Sequence, residues 1–183
     1  MDREVRPAGS WATAWRAWYR LLRLGGPAIA AFARRTGFGN LVVLRVSGRR
    51  SRRERSLPLG LLTVEGRRYV GHPNGDTAWT LNLAAAGRAV LECPGERPVA
   101  VRPVRLPAGR ERDAVVRASF RQHPFPGNAL YRLSGAHVQA YGAFFRLEAD
   151  EPAGSIGRGR RSRTRAPERP GPPGTTSPPS PLP

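Results

Sequence analysis

The sequence predicts a mainly β domain with helices, in which an antiparallel barrel is covered by helical segments. Short β-branched runs separated by turns recur from Leu41 to Leu147. Two helix-spaced segments interrupt these runs, and the last thirty or so residues are too rich in Pro, Gly, Ser and Arg to join a core. About 150 residues remain, which favours a barrel with helical covers over a doubly wound sheet.

The first helix is predicted from Ser10, a good N-cap, to the Gly25-Gly26 stop. At 100° per residue its two faces differ in chemistry. Such a helix either covers one end of the barrel or lies among the head groups of an anionic membrane, and core packing is favoured. The apolar face carries Trp11, Trp15, Trp18 and Leu22, and the opposite face carries Arg16, Arg20 and Arg23.

The rest of the chain alternates turn-bounded strands with helices. A shorter helix is predicted over Pro27 to Arg35, and a hairpin turn at Glu65-Gly66. In the last strand Phe144 and Phe145 are expected to place one ring on each face. The predicted strands are Leu41 to Val46, Ser56 to Val64, Arg67 to Gly71, Ala89 to Glu92, Val99 to Leu106 and Ala140 to Glu148, and the predicted helices are Thr77 to Ala86 and Pro107 to Gln122.

These elements divide the chain into three parts. Residues 1–39 form an N-terminal helical segment, and residues 40–150 form the barrel domain. Residues 151–183 form a tail rich in Arg, Pro and Gly, which is expected to be disordered because it has little apolar surface to bury.

The formal net charge is +18, and every basic residue except the three His is Arg. GC-rich codon usage accounts for the absence of Lys, but the surface still attracts anions. Nucleic-acid modules interleave aromatic with basic residues on strands, whereas here the aromatics concentrate in the first helix and near the end, so no specific nucleic acid is expected.

Cysteine and histidine usage excludes a cysteine-based metal cage. Cys93 is the single cysteine, and His123 and His137 have no carboxylate at ligand spacing, so no metal is expected. There is no apolar run of membrane-spanning length and no secretory signal at Met1 to Gly9. The expected location is the cytoplasm, with contact to the inner face of the membrane through the first helix as the alternative.

The strongest local signal is the Arg-rich segment from Ser47 to Arg55, between two predicted strands. Loop amides, a hydroxyl and several guanidinium groups on one turn suit a phosphate, because Arg offers bidentate and permanently charged donors. The alternative interpretation is a solvated basic loop, and charge alone favours neither.

Two motifs resemble the deazaflavin-dependent nitroreductase and quinone reductase family of actinobacteria. The family signature G-R-x-S-G-x-x-R-x-x-P-L is matched except at its second Gly, where this chain has Arg52. An Asn-Gly turn followed by W-x-x-N-L-x-A is matched in the same order. The matching residues are Gly48, Arg49, Ser51, Arg55, Pro58 and Leu59 in the first motif and Asn74, Gly75, Trp79, Asn82, Leu83 and Ala85 in the second.

The resemblance implies a flavin-binding split β-barrel and an oxidoreductase. Its expected cofactor is reduced coenzyme F420, with FMN as the alternative, and its expected substrate is a small quinone, enone or nitro acceptor. A non-enzymatic protein that binds RNA or a membrane surface is the third hypothesis, and a homodimer is among the open oligomeric states. The implied cofactor-binding residues are Gly48, Arg49, Arg50, Ser51, Arg55, Leu57, Pro58, Leu59, Asn74, Gly75, Trp79 and Asn82.

Two candidate catalytic residues lie where the chain departs from the family. His72 stands nearest the position of the Ser that polarises the substrate, and an imidazole can donate a proton near neutral pH. A loop His that bonds to backbone is the favoured alternative. Tyr131 is the candidate counterpart of the family's ring-side tyrosines, with Tyr141 as a second.

Overall fold

Seven strands and five helices have their bounds within the described residues. The computed structural model describes residues 9–24, 28, 31–32, 35 and 39–150. The helices are α1 Ser10–Leu24, α2 Ala78–Ala86, α3 Arg110–Gln122, α4 Gly127–Leu133 and α5 Gly135–Tyr141. The strands are β1 Leu41–Ser47, β2 Glu54–Gly60, β3 Leu62–Val64, β4 Arg67–His72, β5 Ala89–Glu92, β6 Val99–Arg105 and β7 Ala143–Ala149.

All seven strands form one antiparallel sheet in the order β2-β1-β5-β6-β7-β4-β3. The sheet curls on itself, because Leu57 and Leu59 of β2 pack in the same apolar cluster as Val70 of β4, near the other edge. The predicted fold class is therefore confirmed as α+β, with a split barrel and helical covers.

Two apolar clusters lie on opposite faces of the curled sheet. One fills the barrel and includes Phe145, while the other lies beneath the helices and includes Phe144. Both rings are almost fully buried, so the prediction that the pair places one ring on each face is confirmed. This division makes β7 the wall between the barrel interior and the helical layer.

The strand predicted over Ser56 to Val64 is two strands, which is a correction. Its first part pairs with β1, and after Leu61 the chain turns to pair with β4. Asn40 sets the break: its carbonyl accepts the Leu61 backbone N–H at 2.8 Å and its side-chain Nδ2 donates to the Leu61 carbonyl at 2.9 Å. The predicted hairpin turn at Glu65-Gly66 is confirmed, with φ of 49° and 73°.

One helix start, one strand start and two short helices also differ from the prediction. Helix α3 begins at Arg110 instead of Pro107, after Gly109 at φ 148°. The prediction missed α4 and α5, and therefore began β7 at Ala140 when it begins at Ala143. The helix predicted over Pro27 to Arg35 is helical at its four described residues and otherwise lies outside the described part of the chain, as does the tail from residue 151.

Helix α1 packs its Trp face against the helical layer. Trp15 is 2% exposed, its ring meets Tyr131 edge-on at 5.0 Å, and its Nε1 donates to Oγ of Ser134 at 3.1 Å. Arg16 and Arg20 face solvent. The amphipathic helix is as predicted, and its central Trp serves core packing. Among the described residues, no helix has the length and apolar character needed to span a membrane.

Candidate anion-binding site

The Arg-rich segment forms a closed turn between β1 and β2. The Gly48 N–H donates to the Arg53 carbonyl and the Arg52 N–H donates to the Gly48 carbonyl, both at 2.9 Å. A Cβ at Gly48 would lie 2.7 Å from Oγ of Ser51, so a side chain there would displace the Ser51 hydroxyl. Arg52 adopts φ 56°, the left-handed conformation that favours Gly. The one mismatch to the family motif therefore falls where the backbone itself favours glycine.

Five guanidinium groups, on the turn and at the start of β2, have no acidic partner among the described residues. Arg45 just before the turn pairs with both Glu54 and Glu92, at 3.1 and 2.9 Å. By contrast, the arginines of the turn are exposed and form no ion pair with any residue that the structure describes. They are therefore available to an external anion. These five residues are Arg49, Arg50, Arg52, Arg53 and Arg55.

Helix α2 anchors the turn through Asn82. The Arg49 backbone N–H donates to Oδ1 of Asn82 at 3.2 Å. The helix is fixed at its start by the Thr77 N–H, which donates to Oγ1 of Thr80 at 2.8 Å, and at its end by Gly87 in the left-handed conformation. Trp79, one turn before Asn82, packs against the barrel cluster. The structure thus brings Asn82 of the second motif into contact with the turn of the first.

Strand β2 extends from the turn along one edge of the sheet. Leu57 and Leu59 pack against the barrel cluster, while Pro58 pairs with Val43 and faces the other side. A Pro fits this strand because an edge strand leaves alternate N–H groups without a sheet partner. All three residues of the Leu-Pro-Leu segment are half-buried, so part of each side chain is open to a ligand.

Asn74 holds α1 and α5 in place. Nδ2 of Asn74 donates to the Ala12 carbonyl at 3.2 Å, and its Oδ1 bonds Nε2 of His137 at 2.9 Å. Gly75 turns the chain at φ 74°. The polar atoms of the Asn74 side chain are thus used within the protein, and its assignment as a cofactor contact stays a prediction.

His72 is 4% exposed at the end of β4. Its Nδ1 accepts the Asn74 backbone N–H at 3.2 Å, and its ring lies 4.4 Å from that of Tyr19 and 6.3 Å from that of Trp79. Burial lowers the pKa of His72 to about 4. The imidazole is therefore neutral at pH 7, and its contacts are those of a loop His that bonds to backbone.

Tyr131 lies at the opposite end of β2 from the Arg turn. Its ring stacks on His123 at 4.5 Å, and the His123 ring packs on the backbone of Gly60, where a Cβ would lie 2.3 Å from Cε1. Burial raises the pKa of the Tyr131 hydroxyl well above its usual value, and a hydrogen bond with Tyr19 adds to the shift. The structure does not bring Tyr131, 4% exposed, next to the turn.

Tyr19 was not predicted from the sequence to join the buried cluster around His72 and Trp15. Tyr19 contacts both His72 and Trp15, and burial raises the pKa of Tyr19 to about 12. Its spacing of four residues from Trp15 placed it on the buried face of α1, which was the available signal.

Among the described residues, no group of three or more His, Cys, Asp or Glu could hold a metal ion.

No family model matches the chain, and no curated relative matches it. Similar solved structures include an F420-H2 dependent reductase, 17% identical over 60% of this chain and 94% of that one, with a TM-score of 0.46. They also include a conserved hypothetical protein from Mycobacterium tuberculosis (11% identity, 68% and 79% covered, TM-score 0.46). A heme binding protein from Mycobacterium smegmatis is 15% identical over 79% of this chain and 52% of that one, with a TM-score of 0.43. Likeness this distant carries no argument about activity.

Proposed function

We propose that this protein is an oxidoreductase that holds the phosphate of a flavin-type cofactor on the Arg turn, and that its preferred cofactor is reduced coenzyme F420. The acceptor is a small quinone, enone or nitro compound. The observation that carries the proposal is a set of five arginines with no acidic partner in the described part of the chain. They lie on, and directly after, a turn that is closed by backbone bonds and anchored to α2.

The residues of the turn fit a phosphate group. Guanidinium groups bind phosphate oxygens bidentately and remain charged at every physiological pH. The Ser51 hydroxyl accepts the Arg53 N–H at 3.4 Å and still has a proton to donate. Because Asn82 fixes the backbone of Arg49, the turn is ordered before a ligand arrives, which lowers the entropy cost of binding.

The half-buried Leu57, Pro58 and Leu59 follow the turn directly and offer apolar contacts to a flat ring. A bound deazaflavin supplies the hydride chemistry, and the protein's task is to bind and orient it. His72 is neutral and bonded to the backbone, and Tyr131 is buried, so the proposal assigns neither of them a proton transfer. Their catalytic roles remain predictions from the sequence. The proposal therefore rests on binding and orientation by the turn and β2.

Cofactor binding is tested by titrating the full chain with F420, FMN and FAD and following the fluorescence of each. We expect saturable binding that is tightest for F420, and a loss of about 1–3 kcal/mol in Arg49→Gln and in Arg55→Gln. Arg88→Gln removes the same charge at an arginine paired with Asp150, and is expected to retain the parent affinity.

Each other outcome is informative. Tighter binding of FMN than of F420 would identify FMN as the cofactor and leave the proposed phosphate site unchanged. Binding of inorganic polyphosphate as tight as that of either cofactor, with no turnover of quinone, enone or nitro acceptors by the reduced cofactor, would overturn the oxidoreductase proposal and leave a basic surface.

A further inference from the structure

The barrel has a second open end, at the far end of β1 from the Arg turn. We call this end the far mouth. Strands β1, β4 and β6 begin there, and β5 and β7 end there. The antiparallel register shows this, because it pairs Val43 with Glu92, Arg68 with Leu147 and Val101 with Ala149. Because β1 spans seven residues, the far mouth lies about 20 Å from the turn.

Two clefts at the far mouth share Arg68, which forms an ion pair with Glu96. Nη2 of Arg68, on β4, donates to both carboxylate oxygens of Glu96, at 3.3 and 3.1 Å, and Nη1 lies 3.8 Å from the sulfur of Cys93. Glu96 and Cys93 belong to the turn between β5 and β6. The Arg68 side chain lines both clefts, which measure about 560 and 470 Å³. Each lies within the range of small-molecule sites.

The floors of both clefts reach the apolar interior of the barrel. Val42 lines the larger cleft, Val101 and Leu147 line the smaller one, and all three belong to the barrel cluster. A cationic group thus stands at the rim of a site whose base is apolar. That arrangement suits a molecule with one negative group and a hydrocarbon body.

The Arg68–Glu96 pair is able to open. The two side chains are 39% and 49% exposed, and exposed ion pairs contribute little to stability. Glu96 lies on a turn that contains Gly95 at φ 75°, whereas Arg68 lies within a strand. Opening would leave Arg68 in need of an anion.

We propose that the far mouth binds an apolar monocarboxylate whose carboxylate replaces that of Glu96 on Arg68. Glu96 acts as an internal competitor that covers the site when no ligand is present. This inference is independent of the Arg turn, because the two sites lie at opposite ends of the barrel.

The probes are decanoate, decanol and decyltrimethylammonium below their micelle concentrations, titrated into the full chain by calorimetry. We expect saturable binding of decanoate, binding of decanol weaker by about tenfold because it lacks the charge-assisted bond, and no binding of the cation. Reaction of Cys93, the single thiol, with an aromatic disulfide reagent is expected to slow as decanoate binds. Equal affinity for decanoate and decanol would overturn the proposal.

Variants separate this site from general attraction to a basic surface. Arg68→Gln is expected to weaken decanoate about tenfold and Glu96→Gln to tighten it severalfold, while raising the reaction rate of Cys93. The charge-matched controls Arg88→Gln and Glu54→Gln, and Arg49→Gln in the turn, are expected to leave decanoate affinity unchanged. Should Arg68→Gln fail to fold, Glu96→Gln decides, because unchanged or weaker binding in that variant would refute the competition.

Discussion

Arg52 is the residue at which the geometry of the turn predicts that a substitution stabilises the protein. Its φ of 56° places a side chain where glycine is favoured. Holding a non-glycine residue in this conformation costs about 1–2 kcal/mol. Replacing it with glycine removes that cost, but glycine is more flexible in the unfolded chain, which destabilises the folded state by about 0.5–1 kcal/mol. Arg52→Gly is therefore expected to raise the free energy of unfolding by about 0.5–1 kcal/mol.

The matched control is Arg53→Gly, which removes the same charge one residue later. Arg52 and Glu65 are the two described non-glycine residues with positive φ, so Arg53 has no such strain to relieve. The Arg53→Gly variant is expected to lose about 0.5–1 kcal/mol of free energy of unfolding. Urea unfolding at pH 7 with unchanged m-values measures both. A loss of stability in Arg52→Gly equal to that in Arg53→Gly would refute the assigned turn geometry.

Three further predictions follow from packing and burial. Because burial lowers the pKa of His72 and of His123 from 6.5 to about 4, only the unfolded chain takes up these protons between pH 6.5 and 4. The free energy of unfolding is full above pH 6.5 and falls below it, by about 2 kcal/mol per histidine at pH 5 in urea unfolding. In His123→Gln this acid-dependent loss is expected to be smaller than in the parent chain, and an equal loss would contradict the assigned burial. Gly71→Ala places a Cβ 2.2 Å from the buried Phe144 ring and is expected to cost about 1–3 kcal/mol, whereas Gly127→Ala, with its nearest neighbour at 3.5 Å, is expected to be nearly neutral. Asn82→Ala removes the acceptor of the Arg49 N–H and is expected to cost about 1 kcal/mol of stability and to weaken cofactor binding, and parent-like affinity would show that the turn holds its shape alone.

Local signals predicted the elements whose ends are set by their own residues. Helix α1 begins at Ser10, and α2 ends at a left-handed Gly87, both as the capping residues indicate. The break at Leu61 was not predictable, because Asn40, distant in sequence, creates it with two hydrogen bonds. Helices α4 and α5 have seven residues each, too few for a hydrophobic period to reveal them.

The candidate site divides in the same way. The Arg turn was predictable because its glycine, serine and arginines are contiguous, and Asn82 of the second motif bonds to its backbone. The surroundings of Asn74 were not predictable, since its partners Ala12 and His137 lie 62 and 63 residues away. For the same reason the near-complete burial of His72 was not predictable from the residues next to it in sequence, because it depends on Tyr19 of α1.

The central claim, that the turn contacts the phosphate of the cofactor, is tested most directly by a thermodynamic cycle. The affinities of the parent chain and of the Arg49→Gln/Arg55→Gln variant are measured for F420 and for the same deazaflavin without its phosphate-bearing tail, with FMN and riboflavin as a second pair. We expect the variant to lose at least about 1.5 kcal/mol of binding free energy with each phosphorylated ligand and little with its unphosphorylated counterpart. Equal losses with both members of a pair, or no loss with either, would contradict it.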